Sequence, residues 1–568
     1  MSYNTIPTNP LNIATDLMLK LKNEKDSARI FVERKHEDWT ENYELYRNKV
    51  KTNRLTQRQA VNIPLMKETI KTILAKADDN TIIDWKELSG DQDKEIIFQE
   101  IWNRDMDRIN IEDIDIQDTK TVLMYGRAFQ KLNWEEEGFC AKALDIYDVV
   151  IDPMVDPLDV ETARFVIHQN IFRSLRDILA SDRYTKEGKE ELKTYLSSPD
   201  GMIISNDNLE EWEKKQERLK SLGVDSKDFP LFAGGDTVVN LTEHYTEIWN
   251  TKTESFERRV ICYANDSIEL SNHTLEELLG VTFWPFVTWA EDIETQDFWS
   301  DSVADLIRTP NKVLNIWFSQ MVENRTLRNF QMHWYDATVE GYQPQVYEPG
   351  PGRMLPAPGD PNKTIMPVDI QGLDETLNAI NFVTSIAERA SGATAIEKGQ
   401  AEKGTQTLGE IQILVGKASE RATTMAKLRR RAKEEFAMKY YGIVSANASG
   451  KMTLYKTGRD GKMWPKVIYN SDWQSKSGYK AQVMSSSEQE EESTKSLQKF
   501  QYVLSQFPNN IPLKKIAQKR ELEILDLTPE EIREVQNAEE QMAEQATMGG
   551  GQPQPQLSPL QPAQLGVT

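Results

Sequence analysis

Hydrophobic positions recur along the chain with two periods, and the regions of each period are separable. Between Thr15 and Lys51 the residues Leu17, Leu21, Ile30, Phe31, Trp39, Tyr43 and Tyr46 recur amid dense charge, which predicts one or two surface helices. A helix entered at Pro64 follows, with Met66, Ile70, Ile73 and Ala77 on one stripe. From Thr119 to Ile151 the pattern is a helix end, a glycine and two alternating segments around EEEG, which predicts a hairpin. Residues 171–236 are charged and mostly helical in pattern, whereas 237–270 alternate as strands, giving an α+β lobe.

Phe298–Phe330 carries Val303, Leu306, Ile307, Val313, Leu314, Trp317, Met321 and Val322 on a helical stripe. Thr309 and Pro310 either start a second helix there or kink a single long one. The next forty residues hold too much proline and glycine for a helix and predict short strands joined by turns. Helical spacing resumes at Leu373, Leu377, Ile380, Val383 and Ala387, then breaks at the glycine-rich SGATAIEKGQAEKGT. Beyond it, Leu408, Ile411, Val415, Ala418, Ala422, Met425, Arg429, Ala432 and Phe436 step by three and four, a heptad-like seam. KMTLYKTGRDGKMWPKVIY predicts a hairpin turning at Asp460-Gly461. A last helical region spans about Ser493 to Gln545, with a capping box at Thr528, Pro529 and Glu531, before a Gln/Pro-rich tail that lacks the apolar surface to order itself.

Composition narrows the chemistry. The 90 acidic and 68 basic residues give a formal charge of −22, which argues against a basic nucleic-acid-gripping surface. Two cysteines, Cys140 and Cys262, allow neither a disulfide framework nor a four-thiolate zinc site, and the five histidines include no pair at helical ligand spacing. The N-terminal MSYNTIPTNPLNIATDLMLK lacks a signal-peptide pattern and no run of about 18 apolar residues occurs, so a soluble intracellular product with no membrane contact is expected.

Known catalytic signatures are missing. No G-x-x-x-x-G-K-[ST] phosphate loop is present; Gly409 and Gly416-Lys417-Ala418 come nearest but lack the spacing and the hydroxyl. G-x-S-x-G and H-E-x-x-H are absent as well. Two carboxylate-rich possibilities remain open in IYDVVIDPMVDPLDVETARFVIH, where Asp148, Asp152, Asp156, Asp159 and Glu161 cluster. One is a two-metal nuclease site, which needs only converging acids. The other is solvated turns flanking buried Val149–Ile151 and Phe165–Ile167, since Pro153 and Pro157 forbid a helix and Asp-Pro favours turns. The basic run Lys427, Arg429, Arg430, Arg431 and Lys433 is either a phosphate contact or a solvated or subunit-facing helix surface.

In order, EDWTENYELYRNK, the helix after VNIP, LMYGRAFQKLNW, VVIDPMVDPLDVETARFVIHQNIFRS and FWSDSVADLIRTPNKVLNIW resemble the tailed-bacteriophage portal proteins, head-to-tail connectors. That resemblance, over roughly residues 30–540, implies a predominantly helical α+β portal fold with wing, stem, clip and crown, assembled as a cyclic ring. It implies a wing over 1–299, elaborated at 171–290, a first stem helix over 300–330 and a clip over 331–370. A second stem helix over 371–390, a tunnel loop over 391–405, a long wing helix and hairpin over 406–483 and a crown over 484–545 follow, with a disordered tail over 546–568. Within the tunnel loop Gly392, Gly399 and Gly404 would supply backbone freedom and Lys398 and Lys403 transient phosphate contacts.

The resemblance further implies a non-enzymatic homo-oligomer of twelve subunits, needing no cofactor, at the capsid vertex of the virion after synthesis in the host cytoplasm. Its partners would be the major capsid protein, the large terminase, a head-to-tail adaptor, scaffold or internal core proteins, and double-stranded DNA passing without sequence specificity. A metal-dependent DNA-processing enzyme and another virion component, an adaptor or core protein, are the alternative readings.

Overall fold

The computed structural model describes residues 13–49, 61–77, 81–197, 238–250, 253–265, 267–330, 333–335, 365–367, 374–392, 408–448, 450–457 and 463–485. The first element, α1 (Ile13–Tyr46), is one uninterrupted helix. It is a surface helix of the expected kind: Leu21, Ala28, Val32, Trp39 and Tyr46 form one buried stripe, while Leu19, Ile30 and Phe31 are exposed. Trp39 stands edge-on to Trp299 and Tyr147, with ring centroids 5.5 and 5.3 Å apart. Helix α2 (Leu65–Ala77) follows Pro64 as its stripe predicts, with Met66 and Ile70 buried.

Strand β1 (Thr81–Glu87) and helices α3 (Gln92–Ile109) and α4 (Ile111–Tyr125) come next. Asn110, at φ +51°, lets the chain reverse between the two helices. Gly126 ends α4 in the left-handed region, its N–H donating to the Val122 carbonyl, and opens the predicted hairpin of β2 (Arg127–Glu135) and β3 (Gly138–Ala143). Arg127 to Gln130 are buried on both faces, and β9 (Phe286–Ala290) pairs with the other edge of β2 to make the three-stranded sheet β3-β2-β9.

A second, five-stranded antiparallel sheet runs in chain order through β4 (Val149–Ile151), β5 (Phe165–Ser174), β6 (Val238–Asn250), β7 (Ser255–Ala264) and β8 (Ile268–Thr274). The predicted helical stretch therefore begins after Ser174, with α5 (Leu175–Ala180) and α6 (Lys186–Ser197). The short α7 (Leu275–Leu279) is capped by a reciprocal Thr274–Glu277 box.

Helix α8 (Val303–Asn329) is single and contains Pro310 in its interior, which settles the choice between one helix and two. Its buried face is half polar: Asn315 accepts from the Ile63 N–H at 2.8 Å and Ser319 from the Val61 N–H at 2.9 Å. Leu306, by contrast, is exposed. Beyond α8, β10 (His333–Tyr335) pairs antiparallel with β11 (Ile365–Pro367), and α9 (Asp374–Ser391) returns to pack against α8.

Helix α10 (Leu408–Asn447) is the longest element, and Met425, Ala432 and Phe436 of its predicted seam are buried. Both glycines of the nearest phosphate-loop match, Gly409 and Gly416, lie inside it. Strands β12 (Lys451–Thr457) and β13 (Met463–Tyr469) form the predicted hairpin, whose turn at Asp460-Gly461 lies outside the described residues. The last strand, β14 (Tyr479–Ser485), pairs with β1. One apolar core joins α1 to α4, the three-stranded sheet, α8 and the C-terminal half of α10. The predicted C-terminal helices and tail lie outside the described residues.

Candidate functional site

The five carboxylates of IYDVVIDPMVDPLDVETARFVIH are distributed over a single 3-10 turn at Ile146–Asp148, the edge strand β4, an irregular loop and a second 3-10 turn at Val160–Thr162. Each has its own partner. Asp148 is buried and accepts from Asn170 Nδ2 at 3.1 Å; Asn170, at φ +58°, sits at the bulge in β5 and is itself bonded by Asn240.

Asp152 is 1% exposed. Its oxygens accept from Arg164 Nε at 2.6 Å and Nη2 at 2.8 Å, and from the N–H groups of Met154 and Arg164, both at 3.1 Å. Burial alone would raise this carboxyl, but the Arg164 and backbone hydrogen bonds outweigh it and hold Asp152 below the usual carboxylate range. Asp156 accepts from the Leu158 N–H at 2.9 Å and Asp159 from the Glu161 N–H at 3.0 Å, the side-chain-to-backbone closures that make Asp common in turns.

Glu161 reaches furthest. It accepts from Arg258 Nη1 of β7 at 2.5 Å, from the Trp284 N–H at 3.1 Å and from Lys439 Nζ of α10 at 2.7 Å. Lys439 is itself buried and also donates to the Phe286 carbonyl at 2.7 Å. Three elements distant in sequence are thus tied through one carboxylate. The acids form turns as expected, but Asp148 and Asp152 are buried rather than solvated, because the arginine, amide and backbone donors replace water.

Such an arrangement braces strands; it does not converge on a reacting centre. Among the described residues, no group of three or more His, Cys, Asp or Glu is placed to hold a metal ion.

The basic run of α10 is partly turned inward. Lys433 pairs with Asp115 of α4 at 2.6 Å, and Arg429 and Lys433 line a cavity of about 290 Å³ between α3, α4, β2, β9 and α10. Asp118 also lines it, 2% exposed and with neither oxygen in a hydrogen bond although Gln130 lies beside it. Sequence reading passed over Asp118. Its signal was position: Ile111, Ile114, Asp118, Val122 and Tyr125 step by three and four, which puts a carboxyl in an apolar stripe.

Of the tunnel-loop residues, Gly392 directly follows α9 at φ +75°, its N–H donating to the Glu388 carbonyl at 2.9 Å. Lys398, Gly399, Lys403 and Gly404 lie outside the described residues.

A mixed helix-and-strand body, braced by structural carboxylates and extended by two packed helices, is the setting in which the comparisons fall. The chain belongs to a phage portal protein family. Residues 27–565, nearly its whole length, match the family model of the Phage SU10 portal protein. Comparison with the curated proteins gave no match. The family is structural rather than enzymatic, which agrees with acids that serve as turns and braces. No helix among the described residues is long and apolar enough to cross a membrane.

Proposed function

We propose that copies of this chain close into a ring, twelve in number, at one vertex of the phage capsid, and that DNA is packaged and ejected through its channel. The family match over residues 27–565 carries this reading. In it, residues 1–299 are the wing, α8 and α9 the stem, 331–370 the clip, 391–405 the tunnel loop, 406–483 the long wing helix and hairpin, and 484–545 the crown. The packing of α8 against α9, with the antiparallel pair β10–β11 in the chain between them, supports the stem and clip assignments.

A closed ring of one kind of subunit uses heterologous contacts, in which one face of each copy meets a different face of the next. Stem helices that leave apolar side chains exposed, Leu306 on α8 and Leu377 and Phe382 on α9, suit that geometry. The clip would dock the large terminase and later a head-to-tail adaptor, while the wing would face the major capsid protein and scaffold or internal core proteins.

Charge gives the channel its physics. Counterion release at phosphates supplies most non-specific DNA affinity, so a wall poor in free cations lets duplex slide. A ring of twelve would carry about −264, twelve times the −22 of one chain. Lys398 and Lys403 would touch phosphate transiently from a loop that Gly392, Gly399 and Gly404 keep adaptable.

Light scattering coupled to size exclusion tests the assembly: a particle of many copies is expected, and a chain that stays monomeric or dimeric under all conditions contradicts it.

A further inference from the structure

The cavity beside α10 has the build of a ligand site, and the portal reading makes no use of it. Its volume of about 290 Å³ exceeds the roughly 150 Å³ that suffices for a benzene ring in an engineered apolar cavity. Trp102, Met106, Val287, Trp289 and Phe436 give it apolar and aromatic walls, and the exposed Ile82 and Glu112 stand at its rim. Its carboxyls are Glu112, Asp115 and Asp118, and its cations are Arg429 and Lys433, so one carboxyl is in excess. The ion pair of Lys433 with Asp115 at 2.6 Å occupies one of those cations. Asp118 is the deepest acid; Gln130 and Arg429 are its polar neighbours, but neither of its oxygens meets a partner at hydrogen-bond distance and angle.

We infer that this cavity binds a small organic monocation, an ammonium on an apolar or aromatic body, with its charged end on Asp118 and its hydrocarbon against Trp102 and Trp289. A buried carboxylate without a partner is costly, and a cation entering beside it removes that cost. Indole faces attract the same charge. Burial raises the Asp118 carboxyl above the ordinary carboxyl range, against the lowering pull of Gln130 and Arg429, and a cation beside it draws it down further. Where the acid carries a proton, binding breaks its O–H bond, delivers that proton to the buffer and leaves carboxylate paired with ammonium.

Phenethylamine is a probe of this chemistry, and 2-phenylethanol is its uncharged counterpart. Titration calorimetry of the full chain, in two buffers of different ionisation enthalpy at neutral pH, is expected to show the amine binding with net release of protons to the buffer. Affinity should fall at least about tenfold in Asp118→Asn, and 2-phenylethanol should not compete. Ala432→Met, which fills the cavity from α10 and leaves the acid in place, is expected to abolish binding, and it carries the test if Asp118→Asn does not fold. No amine binding at millimolar concentration, undiminished binding in a folded variant of either kind, or equal affinity for the alcohol would overturn the inference. None of these outcomes bears on whether the chain forms rings.

Discussion

Arg164 holds Asp152 in a two-pronged grip, Nε at 2.6 Å and Nη2 at 2.8 Å, across a loop of eleven intervening residues, while its own N–H donates to the same carboxylate. The pair closes the connection between β4 and β5 into a fixed corner. Four donors saturate the carboxylate, which leaves it no lone pair directed at a metal or a water nucleophile. The acid-rich stretch that most resembles a catalytic string is for this reason a piece of joinery.

Replacing Asp152 removes that corner. Asp152→Ala is expected to destabilise the fold by about 2–3 kcal/mol at neutral pH, chiefly through amides left without an acceptor, since Arg164 is largely exposed and can return to water. The folded-state carboxyl lies below its unfolded value, so its contribution is fully present above the ordinary carboxyl range and is lost as pH falls through the lowered value. Urea titrations of both proteins at pH 7 and in acid check this: the difference should shrink in acid.

Glu161 binds cations from two elements, Arg258 and the buried Lys439. Glu161→Ala strands Lys439 with only Glu435 and a carbonyl for company, and a loss of about 2–4 kcal/mol is expected. A double-mutant cycle with Lys439→Met measures the coupling of that pair, expected at about 1 kcal/mol or more, with Glu435 still paired to Lys439 in the single variant.

Gly126 shows where a single atom matters. At φ +88°, with the Ser300 carbonyl oxygen 2.0 Å from where a Cβ would stand, Gly126→Ala combines a disfavoured backbone with an unavoidable clash. We expect a loss of about 3 kcal/mol or more, read as a sharply lower melting temperature or as failure to recover folded protein.

Local patterns were legible in the sequence wherever the decisive contacts are local. Helix α2, the β2–β3 hairpin with its glycine, the strands β6 to β8 and the Met425–Phe436 part of the α10 seam follow from spacing alone. Non-local pairings were not: β1 with β14, and β9 with β2, join segments whose partners no short-range rule names. Pro310 left open one helix or two, and α8 runs through it as one, its Asn315 and Ser319 fastened to the Ile63 and Val61 backbone. Likewise the acids announced turns, but the burial of Asp148 and Asp152 depended on Asn170 and Arg164, and Glu161 is tied by Arg258 and Lys439, which lie far along the chain. Asp118 broke an apolar stripe, a local signal that gains meaning only once the cavity behind it is seen.

That acid also has a stability signature of its own. A carboxyl raised in the folded state contributes stability in acid, below its unfolded value, that is lost as pH rises toward the folded one. Asp118→Asn should therefore be more stable than the parent at pH 7–8, by on the order of 1 kcal/mol, with the advantage disappearing near pH 4. Thermal melts across that range decide it.

A single image of the purified protein speaks most directly to the proposed assembly. Negative-stain electron microscopy in top view should show rings of many subunits around a central hole wide enough for duplex DNA. Particles without a hole, or with a bore narrower than a double helix in every condition, would contradict it.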